Sequence, residues 1–345
     1  MITIKEMSNM LGISTTTVYN VIHGKTGEVS QSTVDKVQKM LQEYDYVPNI
    51  NARNLASNSS KIIGVAMINT RKGYENYLQD AFIGELVGSI ERALKSSGYF
   101  MMMYFTDSTE ELIQTVLSWN VDGMIFFGMN KEDCIKVRKK FKKPQVFIDC
   151  YIDNIEISYV NIGLDDRRGG YMVGKYLIER GHEKIAFLAD NFKGSDYERY
   201  CGFASAMSEA GMSVGPDNFI KIDPKGKELE VSLDKICTLS ANYSAFFCAA
   251  DFYAMMVMNS LRDHGISVPD DISIVGFDDN IYSRFCRPAI TTVHQSASEK
   301  GELAVKSLME QLQGKSIQQN WVVLPVKLVE RDTVRDLTKD RVCTE

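Results

Sequence analysis

The sequence has no apolar run near the ~18 residues that a membrane span needs, and its opening Met-Ile-Thr-Ile-Lys-Glu lacks the apolar core of an export signal. Neither export nor membrane insertion is expected, and a cytoplasmic location is. No Cys-x-x-Cys pair occurs. The seven cysteines stand singly, at Cys134, Cys150, Cys201, Cys237, Cys248, Cys286 and Cys343, mostly in apolar runs such as Phe246-Phe247-Cys248-Ala249. They read as reduced, largely buried thiols rather than a disulfide framework. Histidine is scarce: His23, His182, His264 and His294 are the whole set, and no two have metal-ligand spacing. His182 and His264 adjoin glycines after helices, which suits C-terminal capping. Met101-Met102-Met103 reads as core rather than a metal box. GxSxG, HExxH and a GxxxxGK[ST] phosphate loop are all missing, so no enzyme, metal or cofactor is expected. An excess of positive charge is missing too: 39 Lys and Arg against 45 Asp and Glu leave −6, and bulk composition alone does not suggest nucleic acid.

What is present is enough chain for two or three domains, 345 residues of ordinary globular composition. Thr3-Ile4-Lys5-Glu6 has the form of a capping box, and Ile4, Met7, Met10 and Leu11 follow at helical spacing until Gly12. Ser14 can cap a second helix with Val18, Val21 and Ile22 on one face, closed by Gly24. A third helix starts near Ser30 and carries Val34, Val37, Leu41 and Tyr44. Three short helices with a tight turn between the first two are the arrangement of a helix-turn-helix, or of a small bundle with another purpose. Under the first reading the outer face of helix two offers Thr15, Thr16, Tyr19 and Asn20 to base edges or phosphates, with Thr3, Ser14 and Thr17 as further DNA contacts. After Tyr46-Val47-Pro48, Asn49 can cap a further helix of about two turns through Ala52 and Leu55. That is below the ~12 residues a free helix needs, so it should fold only against a partner. Ser57-Asn58-Ser59-Ser60-Lys61 reads as a linker.

From residue 61 onward strand and helix signals alternate. Strands are expected at Ile62–Ile68, Tyr99–Phe105, Met124–Phe127, Gln145–Ile148, Ile185–Leu188, Ala245–Ala249 and Ser273–Phe277. Helices are expected around Leu86–Leu94, Gly170–Glu179, Phe203–Ala210, Ala254–Arg262 and Ala297–Leu312. Fully apolar strands between amphipathic helices mean parallel sheets covered on both faces, and some 270 residues suit two doubly wound lobes. A ligand is expected outside the carboxyl ends of the strands, between the lobes.

Three stretches of the headpiece and hinge resemble the lactose/galactose/purine repressor (LacI/GalR) family: Thr3-Ile4-Lys5-Glu6, Leu11-Gly12-Ile13-Ser14 through Thr17-Val18, and Tyr46-Val47-Pro48-Asn49 with Ala52-Arg53-Asn54-Leu55. The likeness continues over nearly the whole chain, through Asp165-Asp166, Gly169-Gly170, Arg180-Gly181-His182, Arg199 with Gly202-Phe203, and Val275-Gly276-Phe277-Asp278-Asp279 to Gln295 and Gly301. It implies an all-α headpiece (1–47), a hinge helix and linker (48–60), and an α/β body like the periplasmic sugar-binding proteins (61–345). It also implies a homodimer on a double-stranded DNA operator, with the helix from Ser14 in the major groove, the hinge helices in the minor groove and Leu55 wedged between base pairs. The family's usual Ser-Arg after Thr-Val is Tyr19-Asn20 here, which removes a guanine-reading arginine and implies a different operator. Residues 1–60 hold five basic and five acidic side chains, so phosphate attraction from the headpiece should be weak.

For a small sugar-like effector, Asp278 stands at a strand's carboxyl end and Arg199 in a segment after another strand. They contact the ligand, pair with each other, or cap helices. Asp165 either bonds the ligand or caps the helix near Arg167. Ser195 and Tyr197 either line the cleft or belong to a solvated loop, Tyr74, in a long first loop, either stacks on a sugar or covers its own loop, and Phe82 after that loop is a further effector candidate. The tail after Arg331 has no leucine heptad, so dimers rather than zippered tetramers are expected. Two other readings are a sugar carrier without DNA function and a regulator answering to a protein partner.

Overall fold

The computed structural model describes residues 2–46, 59–68, 77–151, 159–223, 226–315 and 320–339. The chain divides into two units, Met1–Ser60 and Lys61–Glu345. Asn49, Ala52, Leu55 and Tyr74 lie outside the described residues.

In the first unit α1 (Ile4–Leu11) starts on a capping box: Glu6 N donates to Thr3 Oγ1 (3.2 Å) and Thr3 N to Glu6 Oε2 (2.8 Å). Gly12, at φ 65°, ends it in the left-handed conformation that glycine adopts without strain. Helix α2 (Thr15–Ile22) is capped by Ser14, whose hydroxyl accepts from Thr17 N at 3.0 Å, and α3 (Gln31–Glu43) by Ser30. Met7, Val18, Val21, Val34 and Val37 form the core between them, each side chain stabilising by roughly 1.5–3 kcal/mol relative to exposure. Two expected core positions turn outward. Met10 on α1 is 55% exposed; Tyr44 is 43% exposed because α3 stops at Glu43, and Met40 and Tyr46 pack on the core.

The second unit has two lobes. One holds six parallel strands in the order β11-β5-β4-β3-β1-β2: β1 (Ile62–Ile68), β2 (Phe100–Thr106), β3 (Gly123–Phe127), β4 (Gln145–Ile148), β5 (Val160–Leu164) and β11 (Trp321–Leu324). Helices α4 (Ala81–Ser96), α5 (Thr109–Ser118), α6 (Lys131–Lys140) and α12 (Ala297–Leu312) belong to it. The other holds β7-β6-β8-β9: β6 (Ile185–Ala189), β7 (Phe219–Lys221), β8 (Ala245–Cys248) and β9 (Ser273–Val275), again all parallel. Its helices are α7 (Asp166–Glu179), α8 (Gly194–Glu209), α9 (Gly226–Leu239), α10 (Asp251–Asp263) and the short α11 (Ile281–Phe285). Strands β10 (Thr292–His294) and β12 (Lys327–Val329) pair antiparallel where the chain passes between lobes. Strands β3, β4, β6 and β8 are buried along their whole length, which is why they read as unbroken apolar runs rather than alternating ones.

Edge strand β2 is only half-buried, so the methionines Met101–Met103 cover one rim of the sheet rather than its centre. The reading of single reduced thiols is corrected at one place: Cys134 on α6 and Cys150 after β4 are joined in a disulfide. Sixteen residues separate them, and the packing of α6 on the sheet brings them together. Cys201, Cys237, Cys248 and Cys286 are free thiols. Among the described residues no helix is long and apolar enough to cross a membrane.

Helices α7 and α8 touch backbone to backbone. A Cβ on Gly170 would sit 1.9 Å from the Arg199 carbonyl oxygen, and one on Gly202 would sit 1.8 Å from that of Arg167. Alanine at position 170 would gain about 1 kcal/mol of helix propensity. Forcing two backbones apart costs more than that, because no flexible side chain can yield. Gly170→Ala is therefore expected to destabilise the body by about 1–3 kcal/mol net in urea denaturation. An unchanged or raised midpoint would contradict this packing.

Candidate functional site

Helix α2 presents Ser14, Thr15 and Thr16 exposed, with Thr17, Tyr19 and Asn20 partly so. Thr3, Ser14 and Thr17 are engaged in caps: Thr3 in the box with Glu6, and Ser14 Oγ 2.8 Å from Thr17 Oγ1. The Tyr19 ring stacks on His23 with centroids 4.0 Å apart, and His23 Nδ1 lies 2.8 Å from the Tyr19 carbonyl. His23 thus stiffens Tyr19, a role its position one turn on could have suggested. The Asn20 side chain has no hydrogen bond among the described residues, leaving an amide able to pair with adenine N6 and N7.

In the body, the carboxyl ends of the strands from both lobes carry a joined network of charges. Arg199 on α8 donates from Nε to Asp166 Oδ1 (2.7 Å) and from Nη1 to the Ala249 carbonyl (2.6 Å). Its guanidinium lies 3.6 Å from the centre of the Phe277 ring. Burial works against its charge, but Asp166, Asp278 and Asp196 together hold it firmly protonated. Asp166 also accepts a hydrogen bond from the Tyr151 hydroxyl, and Ser195 bonds the same phenol. Burial, then Asp166 and Asp149, keep the Tyr151 hydroxyl protonated far above the usual range.

On the other side Lys300, buried on α12, donates to both oxygens of Asp149 (2.7 and 2.9 Å) and to Gln295 Oε1 (3.2 Å). Gln295 Nε2 in turn donates to Asp278 Oδ1 (2.6 Å). Phe82, at the start of α4, places its ring 5.2 Å from the Lys300 ammonium. Burial pushes the carboxyl of Asp149 up despite Lys300, and that of Asp278 well up despite Arg199. Asp149 (φ 53°), Asp278 (φ 121°) and Asp279 (φ 58°) all hold positive φ. Such strain in non-glycine residues is stored where a side chain must be aimed.

The structure thus gathers Arg199, Asp278, Ser195 and Phe82 into one network. Asp165 stands apart as the cap of α7, its carboxylate accepting from Arg168 N at 3.1 Å, while its neighbour Asp166 faces Arg199. Tyr197 is 42% exposed and packs on Phe192. Asp149, Tyr151 and Lys300 were not singled out from sequence, and Asp166 and Gln295 stood only in the family motifs, not among the effector candidates. Asp149 carried a usable signal, because it follows β4 as Asp278 follows its own strand. Among the described residues no cluster of His, Cys, Asp or Glu could hold a metal.

A helix-turn-helix unit ahead of a two-lobed body with a polar interlobe network defines the class of ligand-responsive DNA-binding regulators. The comparisons agree. Residues 3–49 match the family described as bacterial regulatory proteins, lacI family, and residues 175–334 match a periplasmic binding protein-like domain. The HTH-type transcriptional repressor PurR of Vibrio cholerae serotype O1 is 30% identical over 98% of this chain and all of its own length. The Lac repressor dimer bound to operator and the anti-inducer ONPF superposes with a TM-score of 0.84 at 24% identity, over 97% of this chain and 99% of that one. The CelR–cellobiose complex gives 0.71 at 22%, over 96% and 100%. The chain belongs to the lacI family of transcription regulators.

Asp251 braces the Asp278 turn. Its carboxylate accepts from Asn280 N (3.0 Å) and Thr292 Oγ1 (2.6 Å), and burial lifts its pKa to about 7 from an ordinary 3.8. A carboxyl raised in the folded state contributes stability below its unfolded pKa, and that contribution is lost as pH rises through the folded value. Asp251→Asn stays neutral throughout, so it should gain stability relative to the natural chain between pH 4 and 8, by up to roughly 4 kcal/mol. Parallel stability curves for the two proteins over that range would rule out the shift.

Proposed function

We propose that this regulator is a cytoplasmic homodimer without catalytic activity, whose grip on operator DNA is set by a small polyhydroxylated effector held between the lobes. The division follows as a headpiece at 1–47, a hinge and linker at 48–60 and a receptor body at 61–345. The observation that carries the reading is the interlobe network itself. Asp149 and Lys300 belong to one lobe, Asp166, Arg199 and Asp278 to the other, and Tyr151 and Gln295 bond across. Each cross-lobe bond joins groups that a sugar hydroxyl can satisfy equally well, since a hydroxyl both donates and accepts. An effector entering there exchanges protein–protein bonds for protein–ligand bonds and changes which lobe angle is favoured. A differential affinity of ~1–3 kcal/mol then shifts the population of DNA-competent dimers.

Several observations support the remaining parts. A cellobiose named with a relative of the same fold fits the sugar class. Strand β2 leaves its sheet edge open with Phe100 58% exposed, and Trp119 after α5 is 55% exposed, which suits a second copy of this chain. On the DNA side, Thr15, Thr16, Tyr19 and Asn20 read bases, with Asn49, Ala52 and Leu55 as the minor-groove segment. A sugar carrier without DNA function has no use for the headpiece.

Titration calorimetry against a sugar panel tests the effector. The tightest binder should lose 10- to 100-fold in affinity with Asp278→Asn, which replaces one carboxyl oxygen that accepts hydrogen bonds with an amide that donates them. Equal affinity removes Asp278 from the site, and a panel with no binder favours a protein partner instead. Leu55→Ala should lower affinity for an operator selected from random duplexes at least ten-fold while sugar binding is unchanged. Full operator affinity in that variant removes the wedge.

A further inference from the structure

The headpiece has no net charge, five basic against five acidic side chains in residues 1–60, yet DNA presents one phosphate charge per ~1.7 Å of axis. The positive charge of this chain is elsewhere. Residues 136–143, Lys-Val-Arg-Lys-Lys-Phe-Lys-Lys, contain six basic side chains and no acidic one. Against a whole-chain charge of −6, the rest of the molecule therefore sums to −12. The run forms the last turns of α6 and the loop leading into β4.

Its place in the fold is specific. Strands β1, β3, β4 and β5 are parallel, so they begin at one end of the sheet, the end opposite the effector network. Lys61 leads the chain from the headpiece linker into β1 at that same end, where Asp122 N donates to Ile62 O and Met124 N to Pro144 O. A concavity of about 300 Å³ opens there, lined by Arg138, Lys142, Lys143 and Lys315 around Gln145 and Gln311, and no carboxylate is among the described residues that line it. Lys143 is pinned at its rim by neutral oxygens, the Asn120 side chain (3.0 Å) and the Val121 carbonyl (2.7 Å). Lys139, Lys140 and Lys142 are exposed and have no acidic partner among the described residues; only Lys136 of the run's lysines is bridged, to Glu110 at 3.3 Å.

A solvated helix end accounts for part of this. Basic residues in a last turn complement the helix dipole. That covers Arg138, Lys139 and Lys140, but not Lys142 and Lys143 beyond the helix or Lys315 after α12. An ordinary solvated surface also mixes both signs, which the described lining of this concavity does not.

The geometry points to a second DNA-contacting surface: the basic end of the body, built by 136–143 and Lys315, binds the phosphate backbone without regard to sequence. It supplies the general attraction for duplex DNA that the uncharged headpiece lacks, and leaves base reading to α2. Because it sits at the strand ends where the linker enters, it is tethered to the headpiece by the same short segment that carries the hinge.

The test uses the full chain and a 60-base-pair duplex of mixed sequence, with no effector present. Lys139→Gln/Lys140→Gln/Lys142→Gln should lower affinity at low salt at least ten-fold. It should also flatten the plot of log affinity against log salt by about 2 or more, near 0.9 for each phosphate no longer neutralised. Lys139→Arg/Lys140→Arg/Lys142→Arg should keep both. A control of similar charge change on α9, with Lys227→Gln and Lys235→Gln, should leave the slope unchanged. An unaltered slope in the triple Gln variant overturns the proposal, as does an equal loss in the α9 control, which would mean net charge rather than place. Titration with inorganic pyrophosphate separates a small-anion pocket from a DNA surface: loss of pyrophosphate binding with duplex binding intact also overturns it. A natural chain that binds neither mixed-sequence duplex nor selected operator would instead count against the DNA-binding assignment itself. Thermal melts of each variant identify any that fail to fold, and the Arg variant then carries the comparison.

Discussion

The body is organised around one buried cation. Arg199 has almost no access to water, and an unpaired guanidinium in that position would cost several kcal/mol. Everything around it supplies compensation: Asp166 in direct contact, Asp196 at 3.9 Å, the Ala249 carbonyl, and the face of Phe277. The close approach of α7 and α8, possible only because Gly170 and Gly202 have no side chains, is what lets Asp166 at the start of one helix reach Arg199 in the middle of the other. A change in that helix packing is therefore felt first as a change in where the cation points, and only second as a looser fit between the helices.

From this cation the network runs outward in two directions, and the distribution of pKa shifts follows from it. Asp166 is satisfied by a cation and a phenol, whereas Asp278 receives a single amide bond from Gln295 and feels Arg199 at longer range, so burial dominates its titration. A carboxyl held in that state has unused acceptor capacity. The strained backbone at Asp278 and Asp279 has its own anchor, because Asp279 is gripped by Arg331, Arg284 and His294, and these bonds outweigh burial and lower its pKa. The turn is thus fixed at Asp279 so that Asp278 can be left underbonded.

The parts legible in sequence were those determined locally. The caps at Thr3, Ser14 and Ser30, the span of β1, β4 and α12, and the two-lobed parallel architecture follow from periodicity and capping chemistry within a dozen residues. Short or poorly patterned elements did not: β7, β10 and β12 have three residues each, too few for a period to show. The site was half legible. Arg199 and Asp278 stand next to motifs, but Lys300 meets Asp149 across 151 residues and no local signal joins them. The choice between Asp165 and Asp166 turned on helix register, since the cap residue of a helix faces its own amides while the next points away. The Cys134–Cys150 bond was invisible for the same reason as Lys300 and Asp149.

Charge shows the same split between what averages conceal and what position reveals. A headpiece surface of hydroxyls, one tyrosine and one amide can discriminate bases by hydrogen-bond pattern, but it contributes little long-range attraction, which depends on the number of phosphates neutralised. On the proposed reading, a headpiece that discriminates bases with neutral groups needs its cations on another surface able to act on the same duplex. An overall charge of −6 hides such an arrangement, because the acidic remainder of the body outweighs the cluster in the sum. At a Debye length of about 8 Å in physiological salt, a nearby phosphate responds to the cluster and not to the sum. The placement of six cations within eight residues at the linker end of the sheet therefore says more about DNA than the net charge does.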